Sequence, residues 1–316
     1  MPQTPLELEV LLTESMIADR FLQSLGQRIL PELFFYWFPL SVRAWVALCR
    51  DSRYRNYLRS ETLLKATAKT LADSLTDRRV EVISLGAGQG TKDRHLLAAL
   101  VESRRQVTYR PVDAGNMLLE MACEQGRELG VSVRGLKADL ADPAHLAWLK
   151  PRGDDPPRII TLLGNTLGAF DPAVMLGRLR TLVREEDRLV IDAELGNDEA
   201  TRSGYEHPAN QAFALAPLRS IGLTEHDGTL VFQSSNHVLP GVHRLEKYFR
   251  FHTDRSVMVA GERLDFKAGE SIHMNHSGKF ERETFCTLLA EAGFSLHSEQ
   301  ISDDGRFMMV NAKPRP

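Results

Sequence analysis

The feature that most limits what this chain can fold into is a regular alternation of short β-rich runs and helical stretches, starting near residue 79 and stopping near Leu195. The runs occupy 80–85, 106–112, 131 onward, 158–163 and 188–191, and the helical stretches 92–103, 115–129, 142–150 and 172–184. Strand, helix and strand in this order close into right-handed crossovers, which predicts a parallel sheet with helices on both faces. The alternation then breaks. Residues 196–275 carry turn residues and strand-like pieces at 229–233, 242–251 and 257–266, the last around Gly261, and read as a mainly β insertion. A helix follows at 281–292, closing at Ala292-Gly293, and two strands at 295–301 and 306–313 are joined through Asp303-Asp304-Gly305. A short link with glycine at its end suits a hairpin, so the final strand should run antiparallel. A nicotinamide-binding sheet normally ends on a parallel strand, and this ending argues against one.

With 316 residues, the chain has room for one large or two modest domains. Its 43% hydrophobic and 26% charged residues exclude extensive disorder. A net charge of −3 gives no electrostatic reason to expect nucleic acid or an anionic membrane as partner. Cys49, Cys123 and Cys286 are too scattered for a disulfide framework or a paired zinc motif, so a reducing cytoplasm is the expected compartment. Glu7, Glu9, Glu14 and Asp19 leave no signal-peptide pattern in the first twenty residues. The apolar stretch Ile29–Cys49 is interrupted by Pro31, Glu32, Pro39 and Arg43, which rules out a membrane span there. Its run Phe34-Phe35-Tyr36-Trp37-Phe38 suits a packed cluster or the aromatic wall of a pocket.

Strand 80–85 leads into Gly86-Ala87-Gly88-Gln89-Gly90 and then a helix. Glycines allow a tight turn and close approach to a ligand, and the helix N-terminus adds free N–H groups. The spacing is G-x-G-x-G rather than G-x-G-x-x-G, and alone it also suits a plain turn. Polar residues after the next three strands strengthen the pattern. Asp113, 23 residues past Gly90, can accept from ribose hydroxyls or serve as an ordinary N-terminal carboxylate of helix 115–129. Asp139, in Lys137-Ala138-Asp139-Leu140, suits an adenine amino group or the cap of helix 142–150. Gly164-Asn165-Thr166-Leu167-Gly168 closes the fourth strand. Ligands of open parallel sheets sit over these strand ends, so an adenosine-containing ligand is expected.

Over residues 30–313 the chain resembles the histidine-specific methyltransferase family, which includes the ergothioneine-pathway enzyme that trimethylates the α-amino group of histidine with S-adenosylmethionine. The resemblance rests on Leu85-Gly86-Ala87-Gly88 followed by Lys92-Asp93-Arg94, on Pro111-Val112-Asp113, and on Leu163-Gly164-Asn165-Thr166-Leu167-Gly168. It rests also on Ala268-Gly269-Glu270-Ser271-Ile272 with Ser277-Gly278-Lys279-Phe280. It implies an α/β class I methyltransferase fold: a Rossmann-like parallel sheet with an antiparallel last strand, plus a smaller α+β substrate-binding domain. The catalytic domain would comprise 61–195 and 276–316, and the substrate-binding domain 1–60 and 196–275. S-adenosylmethionine would be bound by Gly86, Ala87, Gly88, Lys92, Asp113, Asp139, Leu140, Asn165 and Thr166, with Lys92 facing the methionine carboxylate. A small-molecule substrate would meet Tyr36, Ala169, Phe170, Tyr205, Asn275 and Ser277, under a roof made by 1–60 and 196–275 in which Trp37 takes part.

Three departures bear on the acceptor. The family's G-N-T-I-G-N block ends in an asparagine that contacts the histidine imidazole, and Ala169 stands there. The T-E-x-S block, whose Glu and Ser hold the substrate amino group, reads Met274-Asn275-His276-Ser277. The second tyrosine of an E-Y-Y segment aligns with Arg55, after Tyr54. Unmatched buried polar groups are costly, so an acceptor other than L-histidine is expected. An amine that sheds its proton needs no dedicated base, whereas an unactivated hydroxyl does. Methylation at nitrogen of an amino-acid-like or heteroaromatic molecule is therefore expected. O-methylation through His273 or His276, and cofactor binding without turnover, are the alternatives. His237, His243, His252, His273 and His276 show no recurring metal-ligand spacing.

Overall fold

Five strands form the parallel part of the main sheet: β2 (Arg79–Leu85), β3 (Gln106–Asp113), β4 (Ser132–Lys137), β5 (Arg158–Leu162) and β6 (Arg188–Glu194). The computed structural model describes residues 6–153, 155–196 and 204–315, apart from the side chains of 236–238, among them His237. The strands are rich in Val, Ile and Leu because both sheet faces are covered, and β5 is buried at every position. Helices α3 (Arg55–Asp73) and α4 (Asp93–Glu102) pack Leu64, Leu71, Leu96 and Leu100 onto one face. The other face receives α6 (Pro143–Ala147), α7 (Pro172–Arg180) and α9 (Arg282–Glu291), whose Leu146, Met175, Leu176 and Phe285 meet Ile83, Val112, Ile160 and Ile191. Helix α5 (Asn116–Glu128) buries Leu118, Leu119 and Ala122.

The full sheet has eight strands in the order β1-β4-β3-β2-β5-β6-β13-β12. β13 (Phe307–Pro314) is antiparallel to both β6 and β12 (Phe294–Ile301), the ending that the 303–305 link predicts. β1 (Glu7–Val10), an element with no sequence signal because four residues carry no readable period, lies parallel to β4 at the far edge.

A second core joins the N-terminal segment to the insertion. Helices α1 (Glu14–Gly26), α2 (Pro39–Arg50) and α8 (Pro208–Arg219) flank an antiparallel sheet of β7 (Gly228–Leu239), β8 (Val242–Phe251) and β11 (Ser271–Phe280). β9 (Arg255–Val259) and β10 (Glu262–Phe266) form a hairpin about Gly261. Phe21, Phe34 and Phe35 share this core with Phe213, Phe249, Phe251 and Phe266. The insertion is thus less purely β than its turn residues imply, since α8 contributes Phe213, Leu215 and Leu218 to the core. The expected boundary at 275/276 falls inside β11, and β1 of the N-terminal segment belongs to the large sheet.

Candidate active site

The carboxyl ends of β2 to β5 open into a cavity of about 620 Å³, closed from above by α1, α2, α8, β8 and β11. All fifteen site residues expected from the sequence line it: Gly86, Ala87, Gly88, Lys92, Asp113, Asp139, Leu140, Asn165 and Thr166 below, and Tyr36, Ala169, Phe170, Tyr205, Asn275 and Ser277 toward the roof. Trp37 does not. It packs against Phe21, Phe34 and Phe38 and donates its Nε1–H to Glu14 at 2.5 Å. Arg55 also points away, 4.0 Å from Asp304, while its neighbour Tyr54 faces the cavity.

The glycine loop is short because α5 crowds it. A Cβ on Gly90 would lie 2.7 Å from Ala122 Cα, and the residue has φ +71°. Asp113 fastens the loop, accepting from Gly88 N through Oδ2 and from Gly115 N through Oδ1, both at 2.9 Å. Burial raises its pKa, and the N–H groups of Gly115 and Gly88 oppose that rise. Each carboxylate oxygen keeps a further lone pair for a ligand. Leu140 and Thr166 flank Gly86, at 3.7 and 3.5 Å from its Cβ position. The cap of α6 is Asp142, through Ala144 N at 3.0 Å, not Asp139. Asp139 instead binds Arg20 of α1 at 2.8 Å, so this carboxylate ties the roof to the sheet.

Lys92 precedes α4 and reaches across the cavity floor. Its Nζ stands 2.6 Å from where a Cβ on Gly164 would be, and 5.4 Å from the Tyr57 ring centroid. Asn165 sits at φ +60° and spends its side chain on the protein. Its Nδ2 donates to Ser277 Oγ at 3.2 Å and Gly278 O at 3.0 Å, and its Oδ1 accepts from Glu194 N at 3.0 Å. Its role is to join β6 and β11 beside the cavity. Gly168 and Gly278 meet there as bare backbone, since a Cβ on Gly168 would be 2.7 Å from Gly278 O. Two of the sequence blocks that carry the family resemblance therefore meet in one contact.

Behind them lies a buried ion pair. Lys279 Nζ bonds Glu194 at 2.5 Å and donates to Tyr205 and Ser277 hydroxyls at 2.6 Å, while Glu194 also accepts from Asn56 at 2.7 Å. The roof holds two residues without a signal in the sequence. Glu32 accepts from Tyr36 OH at 3.0 Å and from Asn275 Nδ2. A carboxylate thus meets Asn275 from a residue 243 positions away, which the sequence shows only as an interruption of an apolar run. Lys247 stands opposite Asn275 in the β8–β11 register, where a bulge at Met274 shifts the pairing. Tyr36, Trp45, Tyr54 and Phe213 form an aromatic wall, edge-to-face between Tyr36, Trp45 and Tyr54 and tilted where Phe213 joins.

These residues fit S-adenosylmethionine. A buried carboxylate with free lone pairs suits a ribose diol, an ammonium cradled over a glycine suits a carboxylate, and the volume exceeds one small ligand. Among the described residues no group of His, Cys, Asp and Glu is placed to hold a metal ion.

Fold and site together define a methyltransferase of class I architecture. Residues 17–314 match the family described as histidine-specific, S-adenosylmethionine-dependent methyltransferases, and the chain belongs to that family. It is 25% identical to the N-methyltransferase fsqC of Aspergillus fumigatus, over 84% of this chain and 74% of that one. It is 27% identical to the histidine N-alpha-methyltransferase of Mycolicibacterium smegmatis, over 76% of each. Among solved structures, the CurJ carbon methyltransferase shares the fold with a TM-score of 0.50 and 16% identity, over 88% of this chain and 60% of that one. The chain is an S-adenosylmethionine-dependent methyltransferase enzyme.

Proposed function

We propose that the enzyme methylates a nitrogen of a small aromatic amine or amino acid other than L-histidine. One observation carries this reading: the Glu32 carboxylate and an aromatic wall line the same cavity as the glycine loop. A carboxylate there holds an acceptor ammonium, and the wall of Tyr36, Trp45, Tyr54 and Phe213 receives a ring. Glu32 and Tyr54 offset two of the three departures from the histidine pattern. Ala169 remains, and it offers an imidazole no side-chain hydrogen bond.

When bound, S-adenosylmethionine supplies a methyl group made electrophilic by its sulfonium. The chain's own task is positional. Asp113 and Lys92 would hold the two ends of the cofactor, the aromatic wall would exclude water, and Glu32 with Asn275 would direct the acceptor nitrogen. We assign the core shared by 14–50 and 204–275 to acceptor binding and the eight-stranded unit to the cofactor. Among the described residues no helix is long and apolar enough to cross a membrane. Three free cysteines suit a reducing compartment such as the cytoplasm.

The test is a mass-spectrometric screen of the purified protein with S-adenosylmethionine and a panel of aromatic amines and amino acids, L-histidine and L-tryptophan included. An N-methylated product from an aromatic amine other than histidine is expected. Efficient Nα-methylation of L-histidine overturns the acceptor assignment, and product methylated at oxygen overturns the choice of nitrogen.

A further inference from the structure

Lys247 is a roof residue whose chemistry the reading above leaves unused. It is 5% exposed and lines the cavity. Among the described residues its amine has ring neighbours, Phe35 at 5.4 Å and Tyr205 at 6.0 Å, but neither a hydrogen bond nor an ion pair. The residue is buried while its amine, held by no described side chain, opens into the cavity, where a ligand can meet it. The β8–β11 register sets it beside Asn275, whose Oδ1 is buried and without a partner and whose Nδ2 is held by Glu32. Carboxylate, amide oxygen and amine thus converge on one corner of the cavity. An alkyl ammonium has three N–H donors. Glu32 and Asn275 Oδ1 take two, and the third faces the amine.

The charges around this corner decide the state of that amine. From the N-terminal segment come Glu32 and the Tyr36 phenol, and from the start of the α8 region the Tyr205 phenol. β11 contributes His273, His276 and Lys279, and β8 itself Arg244 and Glu246. The phenols stay neutral, because burial raises both well above the usual range. Burial likewise lowers His273, and lowers His276 to about 4, so both rings are uncharged near neutral pH. Lys279 is committed to Glu194. Lys247 is pushed down to about 8 by burial, with Glu32 opposing and Lys279 adding to the shift. A second cation beside a cationic Lys247 disfavours the charged form of both, so an ammonium bound here favours a neutral Lys247.

Resting on the proposed amine acceptor, we propose that Lys247 is the proton acceptor of the reaction: its neutral Nζ takes a proton from the acceptor ammonium that Glu32 and Asn275 hold. One N–H bond of the ammonium breaks and its electron pair stays on the acceptor nitrogen as the nucleophilic lone pair. The proton forms a new N–H bond on Lys247 and leaves to solvent when the site opens.

The first measurement needs no acceptor. Full-length protein, without added ligand, is trace-acylated with acetic anhydride across pH 6–11, and each lysine is followed by peptide mass spectrometry. Lys247 should react along a curve with its midpoint near 8, well below that of exposed Lys267. An ordinary lysine midpoint, or no reaction at any pH, overturns the assignment. The second measurement uses Lys247→Met with the best aromatic amine of the panel. Turnover at pH 7 should fall about 10²–10⁴-fold, S-adenosylhomocysteine affinity by titration should stay within about twofold of wild type, and the deficit should shrink as pH rises and solvent takes the proton. Turnover and pH profile superimposable on wild type overturn the assignment, as a purely structural lysine would leave them. Failure to bind S-adenosylhomocysteine would instead sink the cofactor reading, which the acylation midpoint does not share.

Discussion

Asp113 holds the glycine loop in place before any ligand arrives, through Gly88 N and Gly115 N. Asp113→Ala should therefore cost both affinity and stability. Titration with S-adenosylhomocysteine should show a loss of about 1.5–3 kcal/mol, the range for hydrogen bonds to a charged group, with a lowered melting temperature. Unchanged affinity in a folded variant would refute the ribose role. Glu32→Gln acts on the other substrate alone: the acceptor KM should rise about tenfold or more with cofactor affinity unchanged, and Asn275→Glu in that background should recover most of the loss. At this scale the sequence was legible wherever a residue stood next to its own motif, as Asp113 and Asn165 do at strand ends. It was silent on Glu32 and Lys247, because their partners come from elements far along the chain and nothing local marks a charge that faces inward. The placement of Arg55 away from the cavity has the same root, since one step along a helix start decides which of Tyr54 and Arg55 faces it.

Among the elements, β11 and the turn before α7 depend on each other. Gly168 and Gly278 touch through backbone, so Gly168→Ala would press a methyl onto Gly278 O and N. Neither neighbour is a flexible side-chain end, and the strand must shift. The expected cost is about 1–3 kcal/mol, read as a lower urea midpoint with an unchanged slope. An equally stable variant would show that the contact can relax. The crossover strands and helices were readable because each holds a full period of apolar residues between turn signals. β11 was not legible as a strand. Its polar face, with His273, Asn275 and Ser277, lines the cavity, and the bulge at Met274 breaks the alternation that would announce a strand. α8 carries an internal Pro217 and is apolar on more than one side, which hides its period.

For the whole molecule, function and stability pull apart at Lys247. Its pKa drops from 10.5 in the free chain to about 8 on folding. Between these values the unfolded chain binds more protons than the folded one, so this group makes stability rise with pH across that window, and below pH 8 its full penalty applies. Lys247→Met should accordingly be more stable than wild type at pH 7, by at most about 3 kcal/mol. The advantage should shrink toward pH 10.5. Urea unfolding of both proteins at the two pH values checks this, and a gain independent of pH would assign it to packing instead.

The shared aromatic core has a further consequence, in the order of synthesis. Phe21, Phe34 and Phe35 find their partners in Phe213, Phe249 and Phe251, roughly 200 residues later. At about 5–20 residues per second, the early helices wait roughly 10–40 seconds for the strands that cover them. During that interval the large sheet can begin to assemble from β2 onward while the aromatic run of the future roof stays exposed to water. The growing chain is most open to chaperones, and to sticking to its neighbours on the same message, before the acceptor pocket exists.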